Sequence, residues 1–265
     1  MAKATEYPDP MAPVSLEPVI IHGVDTDRRS VVLDDPTMGK VPVGIVGKHY
    51  GLWSNSDAMK VVNEIMHRSP YDWESVHRIW DGKHFNSFWK TTEQMIDLPE
   101  VGDAIHLGLR LENSYDGSCK LRIAVMAYVL TCTNGMVSDQ RWGLFSVRHS
   151  ASREVDWDDA ITQLRHGAGN LINHAGHFRA MTQSGLQLPA LLNVASDSAL
   201  NPTFLGKYVK QVAAHAGGNG TTRGLTLWDA LNIGTLLLSN PGNLSGVRQL
   251  EAFTDCFLNL AEHVN

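Results

Sequence analysis

The chain has 265 residues, with 28 Asp plus Glu against 22 Lys plus Arg, a formal net charge of −6 and 43% hydrophobic residues. This composition is typical of a globular protein and excludes collagen-like and wholly disordered chains. The net negative charge also excludes a uniformly basic nucleic-acid coat protein. Any binding to phosphates would therefore need a local cluster of cations.

The N-terminal residues combine acids with four prolines, at positions 8, 10, 13 and 18, and lack the basic and apolar regions of a signal peptide. We expect residues 1–39 to form a flexible, proline-containing arm. The sequence has no run of about 18 apolar residues, so no membrane segment is expected. Its three cysteines are too few and too scattered for a disulfide framework. The expected location is a reducing cytoplasm, that of a bacterial host if the protein is encoded by a phage.

Residues 40–185 carry the pattern of an α+β core domain. A strand is predicted at residues 41–46. It is followed by a helix that is capped by Ser54, Ser56 or Asp57 and ends at Ser69-Pro70. Asp81-Gly82 predicts a first hairpin, and alternating apolar residues on both sides of a polar turn at 113–118 predict a second. The core is therefore expected to be an antiparallel β-meander of two hairpins.

The second half of the chain is predicted to be mainly helical. Asp156 begins a long helix whose apolar positions, from Trp157 to Phe178, recur at helical spacing. Further helical runs cover residues 204–215, 225–238 and 247–260, so residues 186–265 are expected to form a helical C-terminal extension packed on the core. The predicted fold class is α+β, with the meander packed on the long helix.

The sequence lacks the signatures of three common enzyme motifs. The loop at residues 217–220 lacks the spacing of a phosphate-binding P-loop, so no ATP or other cofactor is expected. His166, His174 and His177 share a helix face and leave open a metal-dependent hydrolase or nuclease, although no H-E-x-x-H motif is present. Neither Cys132 nor any serine lies in a G-x-S-x-G nucleophile elbow.

Cations with aromatic neighbours suggest binding to single-stranded nucleic acid, because cations contact phosphates and flat rings stack on bases. Alternation along the second hairpin places Arg110, Lys120 and Arg122 on one face of the sheet. The candidate DNA-binding residues are Arg110, Lys120, Arg122, Arg148, His149, Arg153, Arg165 and His166. An ordinary charged surface is the alternative reading of the same residues.

Several short strings closely resemble the phage and plasmid family called domain of unknown function 932. They are residues 44–50 (GIVGKHY), 113–118 (NSYDGS), 132–136 (CTNGM), 148–150 (RHS) and 226–232 (TLWDALN). The resemblance covers roughly residues 40–240 in order. The family name itself implies no activity.

A second resemblance concerns the order of elements and implies a function. Tyr50, Trp73, the turn Asp116-Gly117-Ser118, Leu164-Arg165 and Gly169-Asn170 occur in an order that looks like the core of the RAD-type single-strand annealing proteins. Proteins of that type form rings that hold single-stranded DNA in a basic groove between sheet and helix. The resemblance implies a RAD-type core, self-association into a homo-oligomeric ring or filament, and no catalytic residues.

The leading hypothesis is therefore a non-catalytic protein that binds and anneals single-stranded DNA during phage or plasmid recombination, without ATP, as a homo-oligomer. One alternative is the metal-dependent hydrolase that uses the histidine face. The other is a structural or protein-interaction module whose tryptophans, Trp53, Trp73, Trp80 and Trp89, contact a partner protein.

Overall fold

A computed structural model describes residues 6–129, 134–137, 144–147, 149, 156–187, 194, 200–218, 224–239 and 244–262. The chain divides into two compact units. Unit 1 contains residues 1–89, 109–124 and 144–163, and unit 2 contains residues 90–108, 125–143 and 164–265. This division does not follow the predicted boundary at residue 185.

The N-terminal region forms a three-stranded antiparallel sheet in the order β1 (Val14–Ile21), β2 (Val24–Asp35) and β3 (Gly39–Gly47). Val31 and Leu33 of β2 are fully buried in a cluster that also contains Val43, Val46 and Tyr115. The prediction of a flexible arm is therefore wrong for residues 14–35. The prolines that suggested the arm are compatible with the sheet, since Pro18 lies on the edge strand β1, where a missing N–H is tolerated.

Helix α1 (Asn55–Arg68) begins as its sequence predicts. Ser54 Oγ accepts a hydrogen bond from the backbone N–H of Asp57 at 2.9 Å, which satisfies one of the unpaired donors of the first turn. The apolar stripe of α1 is buried, including Ala58, Val62 and Ile65. The chain leaves the helix at Ser69, whose N–H binds the carbonyls of Ile65 and Met66.

The central sheet confirms both predicted hairpins. Its path runs β4 (Trp73–Trp80), β5 (His84–Leu98), β6 (Asp103–Ser114), β7 (Leu121–Val129) and β8 (Asn134–Val137), and β9 (Leu144–Val147) also pairs with β7. The tight turns use glycine where L side chains are strained, with φ of 90° at Gly82 and 74° at Gly117.

The helices of the second half agree with their predicted positions except at one point. They are α2 (Trp157–Asn173), α3 (Ala175–Gln183), α4 (Pro202–Gly218), α5 (Leu227–Ser239) and α6 (Leu244–Glu262). The predicted single helix from Asp156 is interrupted at His174, which stands between α2 and α3. The α+β fold class is confirmed, and in the part of the chain described above no helix is long and apolar enough to cross a bilayer.

Candidate functional site

An open cleft of about 550 Å³ lies in unit 1. One side is formed by the end of β3, from Ile45 to Gly47, together with Tyr50 and His149. The other side is the stretch of residues 116–120, which includes the turn between β6 and β7. Arg28 of β2 completes the lining. Two predicted site residues, Lys120 and His149, therefore come together at one cleft.

Two stacked rings form the aromatic part of the cleft. The rings of Tyr50 and His149 lie 4.7 Å apart at an interplanar angle of 11°. Tyr50 donates a hydrogen bond to the carbonyl of Ser114 at 2.8 Å, and the backbone of His149 accepts one from the N–H of Gly51 at 3.0 Å. Burial lowers the pKa of His149, although its contact with the Gly51 carbonyl acts in the opposite direction. The imidazole is therefore neutral at pH 7 and offers a flat, uncharged ring.

Two exposed cations, Arg28 and Lys120, line the same cleft. No carboxylate of the described residues lies within 4.0 Å of either charged group. Both cations are therefore available to an anionic ligand. The sequence does not predict a role for Arg28, because it lies in the region predicted to be a flexible arm and no motif distinguishes it from its neighbour Arg29.

Arg110 does not belong to this exposed group. Its side chain is only 2% exposed, its Nη2 donates to Asn86 Oδ1 at 2.8 Å, and the same nitrogen lies 3.7 Å from Glu112 Oε2. Arg122 lies on the same face, as predicted, and its Nη1 is 3.3 Å from that Glu112 oxygen. The prediction that Arg110 presents its charge to DNA is wrong, because the carboxylate of Glu112 and burial of the sheet face remove it from solvent.

The remaining predicted DNA-binding residues are distributed differently. Arg165 and His166 are exposed on α2 and belong to unit 2. Arg148 and Arg153 lie outside the described residues. Of the eight predicted residues, the structure thus places Lys120 and His149 at the cleft, and Arg110 and Arg122 around Glu112.

The histidine face does not assemble a metal site in the described structure. His174 and His177 have ring centroids 5.5 Å apart, but His174 Nδ1 lies 2.7 Å from the carbonyl of Asn170. Over all described residues, no group of three or more His, Cys, Asp or Glu side chains is placed to hold a metal ion. The geometry gives no support to the metal-dependent hydrolase.

The tryptophans do not form one exposed aromatic surface. Trp53 and Trp89 are each 4% exposed and belong to the core. Trp80 is half-buried, and its Nε1 donates to the carbonyl of Pro8 at 2.8 Å. Trp73 is also half-buried, with its Nε1 on Ser69 Oγ at 2.7 Å. Two of the four tryptophans that were predicted to contact a partner protein therefore lie in the core.

A network of four polar side chains joins the two hairpin turns next to the cleft. His84 Nδ1 lies 2.7 Å from Asp81 Oδ2, and His84 Nε2 lies 2.9 Å from Ser118 Oγ and 3.3 Å from Asp116 Oδ2. Burial raises the pKa of both carboxyls, but hydrogen bonds from His84 and Ser118 outweigh it and hold each pKa below its usual value. The sequence does not predict this network, because its members lie on separate turns and match no catalytic motif.

Comparison with known proteins adds a family but no function. No curated protein and no solved structure matches the chain. The family model described as Domain of unknown function (DUF932) matches residues 42–250, a range that includes the cleft except for Arg28. Because the matched range covers most of the length of the chain, the chain belongs to the DUF932 family.

Proposed function

We propose that the protein binds single-stranded DNA in the cleft of unit 1 and anneals complementary strands without ATP, as a homo-oligomer. The observation that carries this proposal is the combination of two exposed cations, Arg28 and Lys120, with the stacked rings of Tyr50 and His149. Proteins that bind single strands with little sequence preference use the same combination, since cations follow the phosphates and rings stack on bases.

The cleft is open to solvent and not enclosed, as a site for a polymer must be. Gly47 and Gly117 line it, and glycine lets a ligand approach the backbone closely. Asp116 also lines the cleft and would repel phosphate, but the backbone N–H of Ser118 donates to its Oδ1 at 2.9 Å and offsets part of its negative charge.

Self-association is supported by the edges and the tip of the first sheet. In the described structure β1 and β3 are edge strands, and edge strands invite pairing with another chain. Ile20, Ile21 and Val24, around the tip of the β1–β2 hairpin, are 60%, 56% and 67% exposed. Repeating one cleft per subunit would raise affinity for a long strand through effective concentration, which makes the overall charge of −6 tolerable.

The resemblance to the RAD-type annealing core supports the annealing step of this proposal. That resemblance rests on the order of elements along the chain, in which strands β4 to β7 precede helix α2. A ring or filament would align the clefts of successive subunits and hold a strand extended with its bases accessible. A cytoplasmic location remains an expectation that rests on the three scattered cysteines.

The binding test uses fluorescence anisotropy of a labelled oligo-dT with the wild-type protein and three charge-removing variants. Arg28→Ala and Lys120→Ala should each weaken binding and reduce the salt dependence, since each lost phosphate contact changes the slope of log K against log salt by about 0.7. Lys60→Ala is the control, because Lys60 is an exposed cation on α1 that does not line the cleft. Equal affinity of all four proteins, or tighter binding to duplex, would contradict the proposal.

The stacking contribution is tested with His149→Ala, which removes a ring from the cleft without changing charge at pH 7. Base stacking on an aromatic side chain is worth about 1–3 kcal/mol per base, so affinity should fall with little change in salt slope. Light scattering should give a mass above the 29.2 kDa of one chain. Annealing is followed with complementary strands carrying a donor and an acceptor dye, without nucleotide. If the protein does not accelerate the pairing of the two strands, it binds single-stranded DNA without annealing it.

A further inference from the structure

We propose that Ser118, His84 and Asp81 form a nucleophilic triad at the wall of the cleft, and that unit 1 hydrolyses carboxylic esters carrying a negative charge. The three side chains form one hydrogen-bonded chain, with 2.9 Å between Ser118 Oγ and His84 Nε2 and 2.7 Å between His84 Nδ1 and Asp81 Oδ2. These distances satisfy the requirement that the nucleophile lies within reach of its base and that a third group orients the base.

The turn between β4 and β5 fixes the carboxylate of Asp81. Its Oδ1 accepts hydrogen bonds from the backbone N–H groups of Lys83, at 2.9 Å, and His84, at 2.7 Å. Its Oδ2 then faces the imidazole. With Nδ1–H donated to this carboxylate, Nε2 carries the lone pair that accepts the hydroxyl proton of Ser118. Asp81 is therefore a positioning residue, which holds the tautomer that a general base needs.

The turn between β6 and β7 fixes the nucleophile. Asp116 Oδ1 accepts the backbone N–H of Ser118 at 2.9 Å, and Asp116 Oδ2 lies 3.3 Å from His84 Nε2. When His84 takes the serine proton, this second carboxylate stabilises the imidazolium. Ser118 itself is exposed and lines the cleft, so that a substrate in the cleft can reach its hydroxyl.

The charges of the cleft define the substrate class. The two cations that line the cleft, Arg28 and Lys120, outnumber its one carboxylate, Asp116, and favour an ester whose acyl or alcohol part is anionic. In the first step, Ser118 Oγ bonds to the ester carbonyl carbon while His84 accepts the hydroxyl proton. The carbon–oxygen bond to the alcohol then breaks, and His84 returns the proton to the departing oxygen. Water repeats the sequence on the acyl-serine, which releases the carboxylic acid and restores Ser118.

This activity goes beyond DNA binding and does not depend on it. The triad needs no nucleic acid, and binding to phosphates needs no serine hydroxyl. A wild-type protein that binds oligo-dT but has no esterase activity would therefore contradict the triad alone. A wild-type protein that hydrolyses esters but does not bind oligo-dT would contradict the proposed DNA function alone.

The test labels the full-length protein with a fluorophosphonate, in which a nucleophilic serine displaces fluoride from phosphorus. Mass spectrometry of the digest should find the adduct on Ser118 of the native protein and not after heat denaturation. Hydrolysis of mono-4-nitrophenyl glutarate should exceed that of the neutral 4-nitrophenyl butyrate. Ser118→Ala should abolish both signals, and His84→Ala should slow both by at least about 100-fold, since general bases contribute 10²–10⁴-fold.

Two further variants separate catalysis from turn structure. Ser75→Ala is the matched control, because Ser75 is an exposed serine on β4 outside the network, and it should keep full labelling. Asp81→Asn should slow labelling and change its pH profile, which a purely structural loss of turn rigidity would not do. Absence of the Ser118 adduct from the folded wild-type protein would overturn the proposal, and so would equal labelling of His84→Ala. In either case the network serves only to join the two turns.

Discussion

Arg122 Nη1 lies 3.3 Å from Glu112 Oε2, the same oxygen that Arg110 Nη2 approaches at 3.7 Å. One carboxylate, 4% exposed, thus faces the guanidinium of Arg110 on its own strand β6 and that of Arg122 on the adjacent strand β7. Glu112 therefore offsets one of the two positive charges on the predicted basic face, within a largely buried network. This pairing also explains why Arg122, 18% exposed, is a poorer candidate for phosphate contact than the exposed Lys120 two positions earlier.

Glu112→Ala should destabilise the protein strongly. Removing one partner of a buried ion pair typically costs about 3–5 kcal/mol, because the remaining charge is left without compensation. Urea denaturation should show this loss, whereas Glu100→Ala, at an exposed loop position, should stay within about 0.5 kcal/mol of the wild type. A small effect of Glu112→Ala would mean that Asn86 alone satisfies Arg110.

Gly44→Ala should destabilise the protein through overlap with the turn between β6 and β7. A Cβ at this position would collide with the backbone carbonyl of Tyr115 and the Cα of Asp116. Overpacking typically costs about 1–3 kcal/mol, and the displaced turn should also weaken oligo-dT binding. Gly47→Ala is the control for thermal stability, since no atom lies within 4 Å of its added Cβ. An unchanged thermal midpoint for Gly44→Ala would show that the turn at Tyr115 and Asp116 moves to accommodate the added Cβ without loss of stability.

Acid should destabilise the first sheet through Asp35. Its carboxylate accepts the backbone N–H groups of Asp9, at 2.7 Å, and of Met38 and Thr37, at 2.8 Å each, which lower its pKa from 3.8. A lowered folded pKa contributes stability that is complete above 3.8 and is lost as the pH falls through the folded value. Asp35→Asn should therefore flatten the dependence of the unfolding free energy on pH below that value.

The comparison for Asp35 is its exposed neighbour Asp34. Asp34→Asn removes the same charge from the same strand but keeps the three backbone hydrogen bonds to Asp35, so it controls for the change in charge. Urea denaturation at several pH values between about 2 and 5 gives both curves. Parallel curves for wild type and Asp35→Asn would show that Asp35 does not cause the loss of stability in acid.

Cys119 should resist alkylation in the folded protein. Burial, and next the charge of Glu112, raise the pKa of its thiol to about 12. Because the thiolate is the reactive form, its reaction with iodoacetamide at pH 8 should be slower than in the unfolded protein by at least about 100-fold. Peptide mapping after timed alkylation, with and without guanidinium, measures this ratio. Equal rates would show that the turn opens readily.

The sequence by itself determined the order of the regular elements. The hairpins around Asp81-Gly82 and residues 113–118, the cap at Ser54 and the C-terminal helices follow from local signals, namely alternation, turn residues and helical spacing. Such signals involve neighbours in the chain, which is why they can be recognised without the fold. The family could be recognised for the same reason, from short strings in a fixed order.

The tertiary structure alone decided which polar residues meet. The sheet formed by β1 and β2 depends on the packing of Val31 and Leu33 against residues elsewhere in unit 1. Burial of Arg110 depends on neighbouring strands, and alternation specifies the face of a strand without specifying what covers it. The same is true of the contact between His84 and Ser118, 34 positions apart, and of the cleft that brings Arg28 together with Lys120. These are long-range contacts between separate turns and strands, and no local pattern encodes them.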